Sequence, residues 1–125
     1  MLPGPRRIRR SADYRVVMRT GSRAASSTVV VHACATGSDH PARCGFIVGR
    51  PVGPAVVRNR VTRQLRHLMA PHLEGLPSGM DIVVRALPPA ADASGTELAR
   101  DLSSGLRRVM SRLGHQAVTG AAVSQ

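Results

Sequence analysis

The chain has no lysine and no tryptophan, and only one tyrosine and one phenylalanine in 125 residues. Without bulky rings, a membrane-surface helix lacks its usual anchors. No apolar run approaches the ~20 residues of a membrane span. The first ten residues hold four arginines but lead into no apolar segment, so they do not read as a secretory signal. The expected location is therefore cytoplasmic. Two cysteines, Cys34 and Cys44, are too few for a disulfide framework or a zinc site. They stand at the end of one expected strand and the start of the next, where a hairpin could bring them together. In a reducing compartment they are expected as free thiols. Carboxylates are scarce as well. The seven present are dispersed, with no pair spaced for two-metal phosphodiester chemistry. No GxSxG, HExxH or P-loop pattern occurs. The reactive groups of any catalysis would have to come from elsewhere.

Arginine is what the chain has in quantity. All eighteen basic residues are arginine, giving a formal charge of +11 and a pI near 11.8. So basic a balance points to nucleic acid. Guanidinium offers a planar fork of donors to phosphate and can stack on bases. Any single arginine is explained by a solvated surface, but a dense block on one helix face is not.

That block is Arg58-Asn59-Arg60-Val61-Thr62-Arg63-Gln64-Leu65-Arg66. At 100° per residue, Val57, Val61, Leu65 and Leu68 form one stripe. Asn59, Arg60, Arg63, Arg66 and His67 gather opposite, with Arg58 at the border. The helix has one side to bury and one side of fixed positive charge, suited to a polyanion.

The remaining order follows from local signals. Residues 1–10 read as a flexible basic arm. Ser11 suits an N-cap for a helix over 12–19, with Asp13 in its first turn. Residues 28–35 are β-branched and read as a strand; 44–50 read as a second, with turn residues on either side as in a hairpin. Pro51, Gly53 and Pro54 force the start of the arginine helix over 55–70, and Pro71 is expected to close it. Residues 80–87 form a third strand. Ser94-Gly-Thr-Glu97 has the form of a capping box. It opens a last helix with Leu98, Leu102, Leu106, Val109 and Leu113 on one face, ended by Gly114 as C′ residue. Residues 11–114 thus make one domain, and 115–125 a disordered tail. The order α-β-β-α-β-α predicts an α+β two-layer sandwich, a mixed sheet with helices packed on one face. The expected core is Val29, Val31, Phe46, Val48, Val57, Val61, Leu65, Leu68, Ile82, Val84, Leu102, Leu106 and Val109. Parity puts Thr28, Val30, His32 and Cys34 on the sheet's other side.

The phrase running from Cys44 to Arg66, with Val52-Gly-Pro-Ala-Val before Arg58-Asn-Arg, resembles the protein subunit of bacterial ribonuclease P. The opening at residues 7–14 and the strand at 79–86 are similar to that family too, so the likeness covers roughly residues 6–113. It implies a left-handed βαβ crossover, against the general preference. It also implies an accessory chain that joins a catalytic RNA subunit and helps it remove the 5′ leader from precursor tRNA, the chemistry resting with the RNA and its Mg2+ ions. By position, Arg50, Arg58, Asn59, Arg60, Arg63 and Arg66 would face RNA, and Tyr14, Met18 and His32 would line a cleft for the single-stranded leader. Where the family usually carries aromatic rings, this chain has Met18 and His32. Base stacking on a ring contributes ~1–3 kcal/mol, so arginine and shape are expected to do more of the holding here. A ribosome-type structural RNA-binding protein shares the charge and size. A helix-turn-helix DNA binder fits less well, because a strand and not a helix precedes Arg58. A self-sufficient protein nuclease lacks clustered carboxylates or histidines.

Overall fold

The computed structural model describes residues 4–124, with side chains for residue 4 and residues 6–114. Its elements are α1 (Ser11–Thr20), β1 (Ser22–Ala25), β2 (Val29–Ala35), β3 (Arg43–Ile47), α2 (Ala55–Glu74), β4 (Met80–Ala86) and α3 (Gly95–Ser124), with short 3-10 turns at Gly4–Arg6, Arg50–Val52 and Pro88–Ala91. One four-stranded mixed sheet runs in the order β1-β2-β4-β3. β1 and β4 both pair antiparallel to β2, while β3 runs parallel to β4.

Two expectations about the strands are corrected. β1 is an additional strand; its Ser-Arg-Ala-Ala sequence is polar and small, without the β-branched run that marks β2. The expected hairpin between the second and third strands does not form, because β4 lies between them. The connection over 36–42 therefore spans two strand spacings, ~10 Å. It is tied to the start of β4, where the Gly79 N–H donates to the His40 carbonyl at 2.7 Å and the Thr36 N–H donates to the Gly79 carbonyl at 2.8 Å. Gly79 has φ +83°, and a Cβ there would strike the Ser38 carbonyl, so glycine is required. The cysteines are free. Cys34 stands opposite Asp81 and Cys44 opposite Ile82, which puts the two thiols on opposite faces of the sheet.

The register sorts the sheet into two faces. Val29, Val31, Ala33, Cys44, Ile82 and Val84 meet Val61, Leu65 and Met69 of α2 and Leu98, Leu102 and Val109 of α3 in the main core. Of the expected core, Phe46, Val48, Val57 and Leu68 are only partly buried against it. The expected single helical layer needs one amendment: α1 packs on the opposite face, where Val17 joins Ile8 and Val83 in a smaller cluster.

Helix ends show where local signals win or lose. The capping box forms as read, with the Glu97 N–H donating to Ser94 Oγ at 3.1 Å and the Ser94 N–H to Glu97 Oε1 at 3.3 Å. Ser11 is the first residue of α1, and Arg10 takes the cap position. Pro71 does not stop α2, which runs on to Glu74. The extra turn buries Leu73, and Arg6 donates to the Leu73 carbonyl at 2.9 Å, satisfying one of the carbonyls a helix end leaves open. Gly114 falls inside α3, so it is not the residue past its end. Residues 115–124, expected as part of a disordered tail, fall within α3, and residue 125 lies outside the described residues. Part of the expected arm, residues 1–3, also lies outside the described residues. From Gly4 the chain is pinned: Arg7 bridges to Cys44 alongside β3, the Ile8 N–H donates to the Cys44 carbonyl at 3.1 Å, and Ile8 is buried.

Candidate nucleic-acid interface

α2 presents its two sides as its periodicity requires. Val61, Leu65, Met69 and Leu73 are buried, while Asn59, Arg60, Arg63, Arg66 and His67 are exposed. Asn59, Thr62, Arg63, Arg66 and His67 line a shallow recess of about 490 Å3. Among the described residues, the ion pairs join Arg43, His40 and Arg100 to acids and leave the arginines of α2 out. The first turn of α2 carries no acidic residue and no side-chain cap, so the helix dipole adds positive potential at that end.

The predicted set divides once the contacts are followed. Arg63 and Arg66 are exposed on the outer face, without an ion pair among the described residues. Arg60 is exposed but donates to the Ala91 carbonyl, linking α2 to the turn before α3. Arg58 sits at the border as expected, half-buried, its Nε without a hydrogen-bond partner among the described residues. Arg50 is exposed in the turn before α2.

Arg66 also reaches the second predicted set. It shares a narrow recess of about 60 Å3 with Arg7, Ile8, Tyr14, Gly45 and Phe46 at the outer edge of β3. Tyr14 lies over Gly45, where a Cβ would collide with its ring, so the missing side chain is what lets α1 dock. Burial raises the Tyr14 pKa above its ordinary value; hydrogen bonding from the Phe46 backbone and the charge of Arg66 work against that rise. Tyr14 therefore packs the helix and also stands beside the basic face. Met18 is half-buried against the Ile8–Val17–Val83 cluster.

His32 is not on an open floor, as parity alone suggested. It is 4% exposed, with Val30 at 2% beside it. Burial, then the charges of Arg85 and Arg23, hold its pKa below the usual imidazole value. Tyr14, Met18 and His32 belong to one side of the sheet but share no single recess among those described. In register, Arg23, His32, Val83 and Gly45 form one row across β1, β2, β4 and β3.

The other end of this face is built differently, and single residue types did not announce it. Asp81 is buried and accepts from Arg43 Nε at 2.9 Å and Nη2 at 2.7 Å. Asp13 lies 3.7 Å from the same guanidinium, and His40 lies 3.6 Å from Asp81. These hydrogen bonds raise the Arg43 pKa further. Together with Arg10, Val16, Thr20 and Thr36 these groups line a cavity of about 710 Å3. Only the pairing of β3 with β4, which sets Arg43 opposite Asp81, could have revealed the pair.

Known proteins share both the sequence and the fold. The Ribonuclease P family profile matches residues 2–110. A ribonuclease P protein component from a Nocardioides species is 50% identical over 111 residues, covering 87% of this chain and 95% of its relative. The one from Streptomyces bikiniensis is 45% identical over 118 residues, covering 88% and 96%. The structure of the Staphylococcus aureus RNase P protein superposes with a TM-score of 0.72 at 30% identity, over 82% of this chain and 93% of that one. The Thermotoga maritima RNase P protein, at 24% identity, shares the fold with a TM-score of 0.68 over 78% of this chain and 92% of its own. With an arginine-faced helix on the expected framework and a family match across nearly the whole sequence, the chain belongs to the ribonuclease P protein family.

Proposed function

We propose that this chain is the RNA-binding protein subunit of a ribonuclease P ribonucleoprotein, the endoribonuclease that removes the 5′ leader from precursor tRNA. The chain assists and the RNA subunit carries the chemistry. The observation that supports this best is the outer face of α2, where Asn59, Arg63, Arg66 and His67 are exposed around one recess, without an acidic partner, on a helix whose other side is core. Arginines there displace condensed counterions from RNA phosphates, a term that weakens steeply with salt. Arg50, Arg58 and Arg60 flank that face. The side of the sheet under α1, with Tyr14, Met18 and His32, is the leader cleft in this reading. Arg66 beside Tyr14 makes the two surfaces continuous around β3.

Holding RNA and leader together raises substrate affinity and orients the scissile bond. Among the described residues, no three His, Cys, Asp or Glu side chains gather to hold a metal ion. In this reading the Mg2+ of the reaction is held mainly by the RNA, and the arginines lower the amount it needs by offsetting phosphate repulsion. Among the described residues no helix is long and apolar enough to cross a membrane, and the proposed location is the cytoplasm, with the precursor tRNA. A precursor-tRNA cleavage assay with the matching RNA subunit, with and without this chain, tests the function. Stimulated cleavage at low magnesium is expected. Association with ribosomal particles and no stimulation would favour a structural RNA-binding protein instead.

A further inference from the structure

Two arginines and a histidine meet on the α1 side of the sheet, and the rows they occupy hold no acid to balance them. Arg23 of β1 stands opposite His32 of β2. His32 stands opposite Val83 of β4, and Arg85 lies two residues further on the same face, opposite Val30. The two rows they occupy are Arg23–His32–Val83–Gly45 and Ala25–Val30–Arg85–Ile47, and neither contains a carboxylate. The nearest acid on this face, Asp81, is one row away and is held by Arg43 in two hydrogen bonds.

Two buried nitrogens of this cluster are unsatisfied. His32 Nε2 and Arg85 Nε are both buried with no hydrogen-bond partner among the described residues. Native proteins rarely leave such atoms unpaired. Here two lie on adjacent strands, under two guanidiniums close enough to disfavour a charge on the imidazole. Arg23 and Arg85 can only donate, and His32 Nε2 and Arg85 Nε meet no partner among the described residues. The missing complement is an anion with several oxygens. The row leads from His32 to Gly45, ~10 Å and two strand spacings away, where Tyr14 and Arg66 stand. A single strand laid along α1 from the arginine face would therefore pass over it.

We propose that Arg23, His32 and Arg85 seat one backbone phosphate of the single-stranded leader, so that this chain holds the leader there by charge and not by stacking on a base. The proposal rests on the leader-cleft reading above. Arg23, exposed, and Arg85, half-buried, have the long side chains that can swing aside to admit the strand, and His32 closes the seat from below. A phosphate seat is indifferent to the base, so leader sequence matters little at this position while its backbone charge matters much.

The test uses the reconstituted holoenzyme with unmodified protein. Precursor tRNAs carry either one neutral methylphosphonate or one abasic nucleotide at each leader position in turn, and binding is measured for each. A loss of about tenfold is expected from the methylphosphonate at one position, with little loss from the abasic substitution there; one charge-assisted contact carries that much. In Arg23→Gln/Arg85→Gln protein the same methylphosphonate should cost nothing further. A flat phosphate scan with losses in the abasic scan overturns the proposal but leaves the leader cleft standing. Two flat scans, with equal binding of precursor and mature tRNA, reject the leader cleft itself. If the double variant instead loses affinity for the RNA subunit alone, the phosphate belongs to that RNA and the proposal fails.

Discussion

The outer face of α2 and the Arg23–His32–Arg85 row both concentrate positive charge, but they hold it in different ways. On α2 the charge follows the helical period, stands in solvent and points outward. In the sheet it follows strand parity, lies partly under α1 and surrounds an imidazole kept neutral. Exposed charge acts over a Debye length, is screened by salt and tolerates many positions of its partner. Recessed charge acts at contact, is screened less, and accepts a partner only where the register allows. One surface is suited to capturing a large folded RNA; the other is suited to reading where a strand lies.

The largest effect should come from the captured RNA. Arg63→Ala with Arg66→Ala removes two exposed guanidiniums and no buried side chain. Affinity for the RNA subunit should fall on the order of tenfold to a hundredfold at ~0.1 M salt. If ~5 phosphates are neutralised in the parent, its log–log salt slope is about −3.5 to −4.5, and the variant's should be shallower by roughly 1.4–1.8. Arg23→Gln with Arg85→Gln should leave that slope unchanged. Equal slopes lost by both pairs in filter-binding titrations would break the distinction between the two surfaces.

The same distinction explains what could be read from the sequence. The arginine face of α2 was legible because a helix displays its period in consecutive residues: Val61 and Leu65 mark the buried side, and Arg63 and Arg66 fall opposite by arithmetic. The capping box was legible for the same reason. Arg23 and Arg85 were not, because they are 62 positions apart and become neighbours of His32 only through pairings no local pattern encodes. The misjudged hairpin shows the limit clearly. Residues 28–35 and 44–50 carry correct strand signals, yet their partner is β4, contributed after α2. Pro71 failed as a stop signal because burying Leu73 outweighs the hydrogen bond that proline forfeits in the last turn.

Next in size is a change at the neutralised end of the sheet face. Asp81→Ala strips Arg43 of its two hydrogen bonds and should destabilise the free protein by ~1–3 kcal/mol, the lower part of that range applying because Arg43 can reach water. Affinity for the RNA subunit should not fall, since the change only adds net positive charge. A denaturant melt and a binding titration on the same preparation check both halves; unaltered stability would mean that the acid is not what anchors this end.

A smaller effect sharpens the contrast through pH. The His32 pKa lies below its ordinary value of 6.5, so below that value the unfolded chain binds the proton more readily than the native one. Stability therefore rises with pH across the imidazole range and is lost as pH falls through 6.5. Burial sets this first, then the charges of Arg85 on β4 and Arg23 on β1. Melts from pH 5 to 8 should show a gentler decline for His32→Gln than for the parent. A bound phosphate should reverse the sign by favouring the charged ring; identical declines in both proteins would remove His32 from the account.

The smallest effect distinguishes arginines within α2 itself. Arg60 and Arg63 are both exposed, and by sequence the two are equivalent. The structure separates them, because Arg60 donates to the Ala91 carbonyl and so already has a partner within the fold. An exposed hydrogen bond of this kind contributes roughly 0.5–1 kcal/mol, and a guanidinium engaged there must let go before it can meet a phosphate. Arg60→Ala should therefore lower thermal stability slightly and weaken RNA binding less than Arg63→Ala, whereas Arg63→Ala should leave stability unchanged. If Arg60→Ala costs more RNA affinity than Arg63→Ala with no loss of stability, the carbonyl contact gives way in the complex. The capture surface would then extend from the recess toward the start of α2, where the helix dipole adds to it.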